Sequence, residues 1–501
     1  MHLIGLDVGT TGCKAIVFDP AGHIKGHGYQ EYEVHCTEPA MAEQDAEYVW
    51  ILCQEALKQA VRTSGIREVG ALSISVQGDA IIPVDCSCHA LHPAILGMDY
   101  RSEPQSKWCE DHFGGFELFQ RTGMRPHPIN SLVKLLYLKE RQPEVFRRSH
   151  KIMTYADFIL GKFGAEAVID YSMASRTMAF DLAQRTWCWD LLSRLDIDPD
   201  LLSSPVPSGT EVGMVRKEVA DAVGLSGKVR LVTGGHDQPC AAIGAGVIRP
   251  GRGIVSTGSA EVLATTFAAP ALTRAMYDGF YPCTLHARDG FYFTFALNHV
   301  GGLLLKWFRD EFCGCDVEEA KRGGFNPYQI IDAGMPDHPT SVMVVPHWIG
   351  SGTPTCDLQA KGAILGLTMA TGRHEVARAI LEGLTFELQI NLETMRQSGI
   401  DVSQMVAVGG GAKSPLWLQM KADILRCPIQ TPRCRESACL GAALLAGTAS
   451  GVFASLEEAV SQTVTFDREF VPDSKMSRIY EERLAIYRTL YPLLKAVNPR
   501  L

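Results

Sequence analysis

The first nineteen residues set a glycine–threonine turn between two short apolar strands. They read Leu3-Ile-Gly-Leu-Asp7-Val8, Gly9-Thr10-Thr11-Gly12, then Cys13-Lys14-Ala-Ile-Val-Phe-Asp19. Apolar and β-branched residues on both sides of a turn-forming cluster predict a hairpin. About half the chain later, Ile254-Val-Ser-Thr257-Gly258-Ser-Ala-Glu-Val-Leu-Ala-Thr-Thr266 repeats the pattern with a Gly-Ser turn. A chain that makes one hairpin twice reads as two similarly built halves whose turns face a common cleft. Its 501 residues suffice for two or more domains at about 100–200 residues each. Pro250 and Gly251 interrupt the pattern after Val247-Ile248-Arg249, which predicts a division into residues 1–247 and 248–501.

The segments around the hairpins alternate between the two periodicities. Residues 22–34 read as a third strand, and 69–79 and 94–102 as further strands. Val49, Leu52, Cys53, Ala56, Leu57 and Ala60 recur at helical spacing and predict a helix over 47–60. Residues 230–248 and 405–425 each read strand, glycine turn, helix. Residues 301–308 and 375–392 carry helical patterns, and Ile479, Leu484, Tyr487, Leu490, Tyr491 and Leu494 predict a terminal amphipathic helix. Strands and helices mixed in this order predict an α/β fold.

Four glycine turns at strand ends carry the candidate chemistry. A turn of exposed backbone N–H groups without bulky side chains suits phosphate oxygens. Gly9, Thr10 and Thr11 form one such turn, with Thr hydroxyls as donors and Lys14 as an extra cation. Thr257 and Gly258 form a second. Gly410 and Gly411, followed by Ser414, let a flat purine or its ribose approach the backbone closely. The fourth, Gly234-Gly235-His236-Asp237, ends in an acid. Asp7, at a strand end, is suited to the shell of a phosphate-bound Mg²⁺, which takes carboxylates and water. None of this is a Walker A loop, because a strand follows the first turn and GxxxxGK[ST] is absent. Any one turn alone is an ordinary hairpin; four in one α/β chain point to nucleotide and phosphoryl chemistry.

Charge and cysteine usage narrow the alternatives. The 47 Lys+Arg against 56 Asp+Glu, a formal net charge of −9, disfavour a general nucleic-acid binder, which needs a basic surface. No stretch approaches the ~20 apolar residues of a membrane span, and no basic leader precedes an apolar core, so a cytoplasmic protein is expected. The fifteen cysteines are scattered. Cys86-Ser-Cys88 and Cys313-Gly-Cys315 lack the second ligand pair of a zinc site and read as free thiols.

Taken in order, the motifs resemble the FGGY family of carbohydrate kinases, from Leu3 to about Gly447. Leu6-Asp7-Val-Gly-Thr-Thr-Gly-Cys-Lys14 is similar to the family's first phosphate motif. Ser131-Leu-Val-Lys134-Leu-Leu-Tyr137 resembles one signature, with Tyr137 where Trp is usual. Gly362 to Leu367 and Glu375 to Gly383 resemble the second, and Val408 to Leu425 the adenosine motif. The resemblance implies two actin-like (ribonuclease H-like) ATPase domains flanking a nucleotide cleft. It implies an ATP:sugar phosphotransferase that uses Mg²⁺, with sugar on the N-terminal half and ATP mostly on the C-terminal half. Asp237 matches the general base, Asp7 the carboxylate near Mg²⁺, Thr10 and Thr11 the γ-phosphate turn, Gly258 the second phosphate turn, and Gly410 and Gly411 the adenosine site. Gln77, Gly78, Asp79, Asp99 and Arg101 fall in segments that bind sugar hydroxyls, whose donors and acceptors would orient the attacking oxygen. A ketopentose such as xylulose is the expected acceptor, with glycerol, gluconate and fuculose as alternatives. A non-kinase actin- or Hsp70-like ATPase is the rival from another class, and a homodimer is compatible. Departures from the family pattern concern the sugar. Val76-Gln77-Gly78 stands where xylulose kinases commonly have Met-His-Gly, no Trp precedes Asp99, and Lys361-Gly362 replaces Arg-Gly.

Overall fold

The computed structural model describes residues 1–500. Strands β1 (His2–Val8), β2 (Gly12–Phe18), β3 (Ile24–Glu31), β4 (Val69–Val76), β5 (Glu211–Met214) and β6 (Arg230–His236) form one sheet in the order β5-β6-β4-β1-β2-β3. Strands β7 (Gly251–Thr257), β8 (Glu261–Phe267), β9 (Thr284–Leu285), β10 (Tyr292–Asn298), β11 (Val402–Gly409), β12 (Ile429–Pro432) and β13 (Phe466–Phe470) form the other, β9-β10-β8-β7-β11-β12-β13. Without the edge strands β5, β9 and β13, the two sheets have one plan. An antiparallel three-strand meander lies beside two strands parallel to its first member. The repeat read from the two hairpins is therefore a repeat of whole sheets.

Period-2 alternation lets each sheet bury both faces. In β1, Ile4, Leu6 and Val8 belong to one core cluster and Leu3 to another. The first face is covered by α1 (Ala46–Ser64), which starts where the Asp45 carboxylate accepts Tyr48 N–H and stops at left-handed Gly65. Segment 94–102 departs from its strand expectation: only Ala94–Ile95 pairs, with Glu43–Gln44. The Asp99 carboxylate accepts the Arg101 N–H at 3.0 Å, and this local turn ends the strand.

Two connecting helices lie between the halves. After α2 (Ser131–Arg141), α3 (Asp237–Gly244) leaves the end of β6 and packs Cys240 and Ile243 with Leu3, Ala71 and Val232 of the first sheet, and Ala242, with Ala245 and Val247 beyond it, against Ile254, Ala264, Val406 and Val408 of the second. Three further helices are α4 (Arg373–Gln397), α5 (Pro415–Leu425) and α6 (Ser437–Ala449), and α7 (Ser474–Lys495) follows β13. Helix α6 follows β12 of the second sheet, yet its Leu440, Ala443 and Leu444 pack on Leu3, Ile16, Ala71 and Val232 of the first. The crossing needs residues without side chains. A Cβ on Gly244 would lie 1.9 Å from the Ser437 carbonyl oxygen, and one on Gly441 1.9 Å from that of Cys240. The small-residue character of both helices is thus what brings the two sheets, and the turns at their strand ends, around one cleft. No helix among the described residues is long and apolar enough to cross a membrane.

Candidate active site

The Gly9–Gly12 turn is held from behind. The Tyr32 hydroxyl donates to the Gly9 carbonyl at 2.7 Å, and the Gln44 amide to that of Thr10 at 2.5 Å. Gln77 donates to Gln44 Oε1 at 3.0 Å, so its amide acts on the turn through a second amide. With these carbonyls occupied, the turn's shape is fixed before any ligand arrives. Asp7 ends β1 beside it. The Ser75 hydroxyl donates to Asp7 Oδ1 at 2.7 Å, yet burial raises the carboxyl to about 6. Lys14, opposite Asp7 in the ladder, reaches across the cleft to Glu436, 2.6 Å away and just ahead of α6.

Asp237 opens α3. Burial, joined by the charge of Asp7, pushes its carboxyl up to about 7, with Arg176 opposing the shift. About a third of the side chain remains exposed, and its Oδ1 lies 3.1 Å from His236 Nε2. Burial and the Arg176 charge hold the imidazole pKa well below its ordinary value, so His236 is a neutral neighbour. Arg176 is 3% exposed and forks onto Asp79, with Nε donating to Oδ1 at 3.0 Å and Nη2 to Oδ2. Its Nη1 is buried without a partner, and the guanidinium stacks over Phe295 of the second sheet at 5.2 Å. Gly78 is required here, because a Cβ would lie 2.9 Å from both Arg176 Nε and His236 Nε2. Lys134 of α2 donates to the Asp79 carbonyl at 3.1 Å, and burial lowers its ammonium to about 8. The signature containing Lys134 therefore supports the Asp79 loop from beneath.

Asp99 and Arg101 are placed differently. Asp99 is fully buried, and its two oxygens accept from the Ala42 N–H at 2.7 Å and from the Arg101 backbone and side chain. Arg101 also reaches Glu43 at 2.7 Å, next to Gln44. The pair is a closed clasp behind the phosphate turn, with every Asp99 oxygen engaged.

Across the cleft, Thr257, Gly258, Gly410, Gly411, Ser414 and Trp417 line a cavity of about 430 Å³. Behind Thr257 lies a buried polar triad. Lys421 Nζ lies 2.6 Å from Glu261 Oε1 and donates to Thr257 Oγ1 at 2.9 Å, while the Thr257 hydroxyl donates to Glu261 at 2.7 Å. Lys421 also lies 4.0 Å over the Trp417 ring. Ser414 caps α5 by accepting Trp417 N–H at 3.2 Å. The two glycines do different work. A Cβ on Gly411 would meet the Thr257 side chain at 2.7 Å, whereas one on Gly410 finds nothing nearer than 3.7 Å.

Arg176, Gln44, Tyr32 and the Lys421–Glu261 pair are absent from the sequence reading. A charged residue inside the apolar run Met173-Ala-Ser-Arg176-Thr-Met-Ala-Phe180 was a signal for Arg176, since a buried arginine requires a partner. The same reasoning applies to Lys421 in α5. Nothing in the local sequence distinguishes Gln44 or Tyr32.

The family profile described as "FGGY family of carbohydrate kinases, N-terminal domain" matches residues 2–244, and its C-terminal counterpart matches 255–450. A xylulose kinase of Bacillus subtilis is 28% identical over 100% of this chain and 98% of its own length. A glycerol kinase of Bordetella parapertussis is 30% identical over 97% and 96%. The crystal structure of a gluconate kinase from Lactobacillus acidophilus shares the fold with a TM-score of 0.90, at 24% identity over 100% and 99%.

Proposed function

Because the chain belongs to the FGGY family of carbohydrate kinases, we propose that it phosphorylates a small neutral polyhydroxylated acceptor, a ketopentose such as xylulose. The enzyme is an ATP-dependent phosphotransferase with an alcohol group as acceptor. The Asp79–Arg176 pair carries the reading of the acceptor. The cation beside Asp237 is already neutralised by a carboxylate, and what it offers is one unpartnered donor, Nη1. A paired guanidinium with one free NH₂ group suits a hydroxyl, whereas a sugar acid calls for an uncompensated cation. Arg101, the other candidate for a sugar carboxylate, is committed to Asp99 and Glu43. We assign Asp99 and Arg101 to holding the loop, and Gln77, Gly78, Asp79 and Arg176 to shaping the sugar site.

Asp237 is the general base in this reading. A carboxyl raised to about 7 is matched to taking a hydroxyl proton near neutral pH. The alkoxide-like oxygen then attacks the γ-phosphorus of ATP as the bond to the bridging oxygen breaks and ADP leaves, with Thr10 and Thr11 donating to the phosphates where negative charge spreads; Gly9, Thr257 and Gly258 shape the two turns, their donors being held by the Gly12 carbonyl, Glu261 and the Ala260 carbonyl. Gly410, Gly411 and Ser414 receive the adenosine. Asp7 fits a magnesium shell: Ser75 occupies one carboxylate oxygen and leaves Oδ2 for a metal-bound water. When bound with ATP, Mg²⁺ supplies charge neutralisation across the phosphates. The working division is residues 1–247 for sugar and 248–501 for nucleotide, and the proposed setting is the cytoplasm, where ATP is supplied.

An ADP-coupled assay over pentuloses, hexuloses, polyols, glycerol and gluconate tests the acceptor. The highest kcat/KM is expected on a pentulose. A site of buried hydroxyl partners should also reject the wrong epimer strongly, because the mismatch leaves those partners unpaired. Highest activity on gluconate or glycerol would overturn the ketose reading.

A further inference from the structure

A second cavity, about 320 Å³, opens on the other side of the turn that holds adenosine. It is lined by Gly409 and Ala412 of that turn, by Arg433 and Arg435 beyond β12, and by Arg468 of β13; Lys413 borders both cavities. Four cations therefore face it, against the single carboxylate of Asp467. Lys413, Arg433 and Arg435 stand exposed at its rim and Arg468 is half-buried. The chain carries 56 Asp+Glu against 47 Lys+Arg, yet Asp467 is the one carboxylate residue lining this cavity. Among the described residues none of the four makes an ion pair. Arg468 donates Nη2 to the Ala412 carbonyl at 3.1 Å, and its Nε is buried with no partner.

We propose that this cavity is a second, non-catalytic anion site that takes a dianionic phosphoryl group, as free phosphate or as a small phosphate monoester. Guanidinium forks match phosphate oxygens in pairs, and Arg433 and Arg435 approach from the loop after β12 while Arg468 approaches from β13. The volume admits a phosphate ester of a short sugar and is small for a nucleotide beside its own larger cavity. Its position ties it to the catalytic cleft from two directions. The Gly409–Lys413 segment is a wall of both cavities, and Arg435 precedes Glu436, whose partner is Lys14 of the first hairpin. An anion there would brace the adenosine turn from outside the nucleotide cavity.

The test measures phosphate binding with the catalytic nucleotide site filled. Full-length protein is saturated with Mg²⁺ and the β,γ-methylene analogue of ATP, then titrated calorimetrically with inorganic phosphate and, separately, with a pentose 5-phosphate. One phosphoryl group per chain is expected, and the arm that binds more tightly names the source. Arg433→Ser combined with Arg435→Ser should weaken that binding at least tenfold while the analogue's own affinity stays within twofold. Arg435→Ser, at an exposed position, should reproduce part of the loss without risk to folding. Absence of phosphate binding to the analogue-loaded protein, or equal binding by wild type and Arg435→Ser, would overturn the proposal. Neither readout uses turnover, so both are independent of which sugar is phosphorylated.

Discussion

The two sheets share a strand plan but treat charge in opposite ways. The first half gathers carboxylates around its turn and leaves them under-compensated: burial raises Asp7 to about 6 and Asp237 to about 7. The second half closes the buried charges behind Thr257 on one another, with Lys421 bonded to Glu261 and both bonded to Thr257. One scaffold thus carries a reactive site and a receptive one. Phosphoryl transfer asks for both: a group poised to accept a proton, and a preformed surface to receive the nucleotide. Each substitution below is aimed at one side of this contrast.

The largest effect is expected at Asp237. Asp237→Asn should lower kcat by ~10²–10⁴-fold with ATP affinity unchanged, because the base is lost while asparagine fits the start of α3 about as well. A kcat within threefold of wild type would remove Asp237 from the chemistry. The pH profile gives a second readout. The ionised carboxylate is the active form, so kcat/KM of the wild type should fall about tenfold per pH unit below about 7. Stability should move the other way. A carboxyl at about 7 in the folded state and ~3.9 unfolded binds more protons folded than unfolded between those values. It therefore costs stability progressively as pH rises through that window. Asp237→Asn should raise Tm at pH 8 and leave it unchanged near pH 4; a lower Tm at pH 8 would contradict the sign.

Breaking the closed charges of the second half should cost stability instead. Lys421→Met leaves Glu261 buried with a lost counter-charge, and removing one partner of a buried pair typically costs ~3–5 kcal/mol. Urea unfolding measures it. Lys421→Met combined with Glu261→Gln should recover a large part, since the orphaned charge goes as well. A single variant within ~1 kcal/mol of wild type would show that the triad is not the closed unit described above.

Much of this plan was legible in the sequence, and the limits have physical causes. The hairpins, α1 and the glycine turns follow from local periodicity and turn chemistry, which depend on neighbours a few residues apart. The crossing of α3 and α6 between the sheets depends on contacts some two hundred residues apart, and the glycines that permit it, Gly244 and Gly441, do not name their partners in the sequence. Asp99 and Arg101 show the same limit in the site. Their residue types suit sugar hydroxyls, but whether a carboxylate is free is decided by the Ala42 N–H, which no spacing rule predicts. Arg176 escaped notice for the converse reason: its partner, Asp79, lies 97 positions away.

The glycines of the adenosine turn separate contact with the scaffold from contact with the ligand. Gly411→Ala must push the Thr257 side chain away from Glu261 and Lys421, since its Cβ would sit 2.7 Å from Thr257 Cβ. ATP affinity should fall about tenfold, or ~1.4 kcal/mol. Gly410→Ala has room and should stay within twofold, while Gly410→Val places its branches toward the nucleotide and should weaken binding severalfold. Calorimetry on the folded variants decides, and unchanged ATP affinity in both Gly411→Ala and Gly410→Val would remove adenosine from this cavity.

The smallest effect is expected where the halves meet. Lys14 and Glu436 are 2.6 Å apart, but each side chain is about a third exposed, and solvent screens such a pair. A double-mutant cycle of Lys14→Met and Glu436→Gln should give a coupling of ~0.2–1 kcal/mol in urea unfolding. Its value lies in the kinetics of the same variants. If Lys14 serves as a strut between the first hairpin and α6, both single variants should change the KM for ATP in the same direction and by about twofold. If instead the ammonium leaves Glu436 for the phosphates when ATP binds, the two diverge. Lys14→Met would then raise the KM tenfold or more, and Glu436→Gln, by freeing the cation, would lower it. That outcome would move Lys14 from the interface to the phosphate turn, and make the first half the one that supplies the nucleotide's counter-charge.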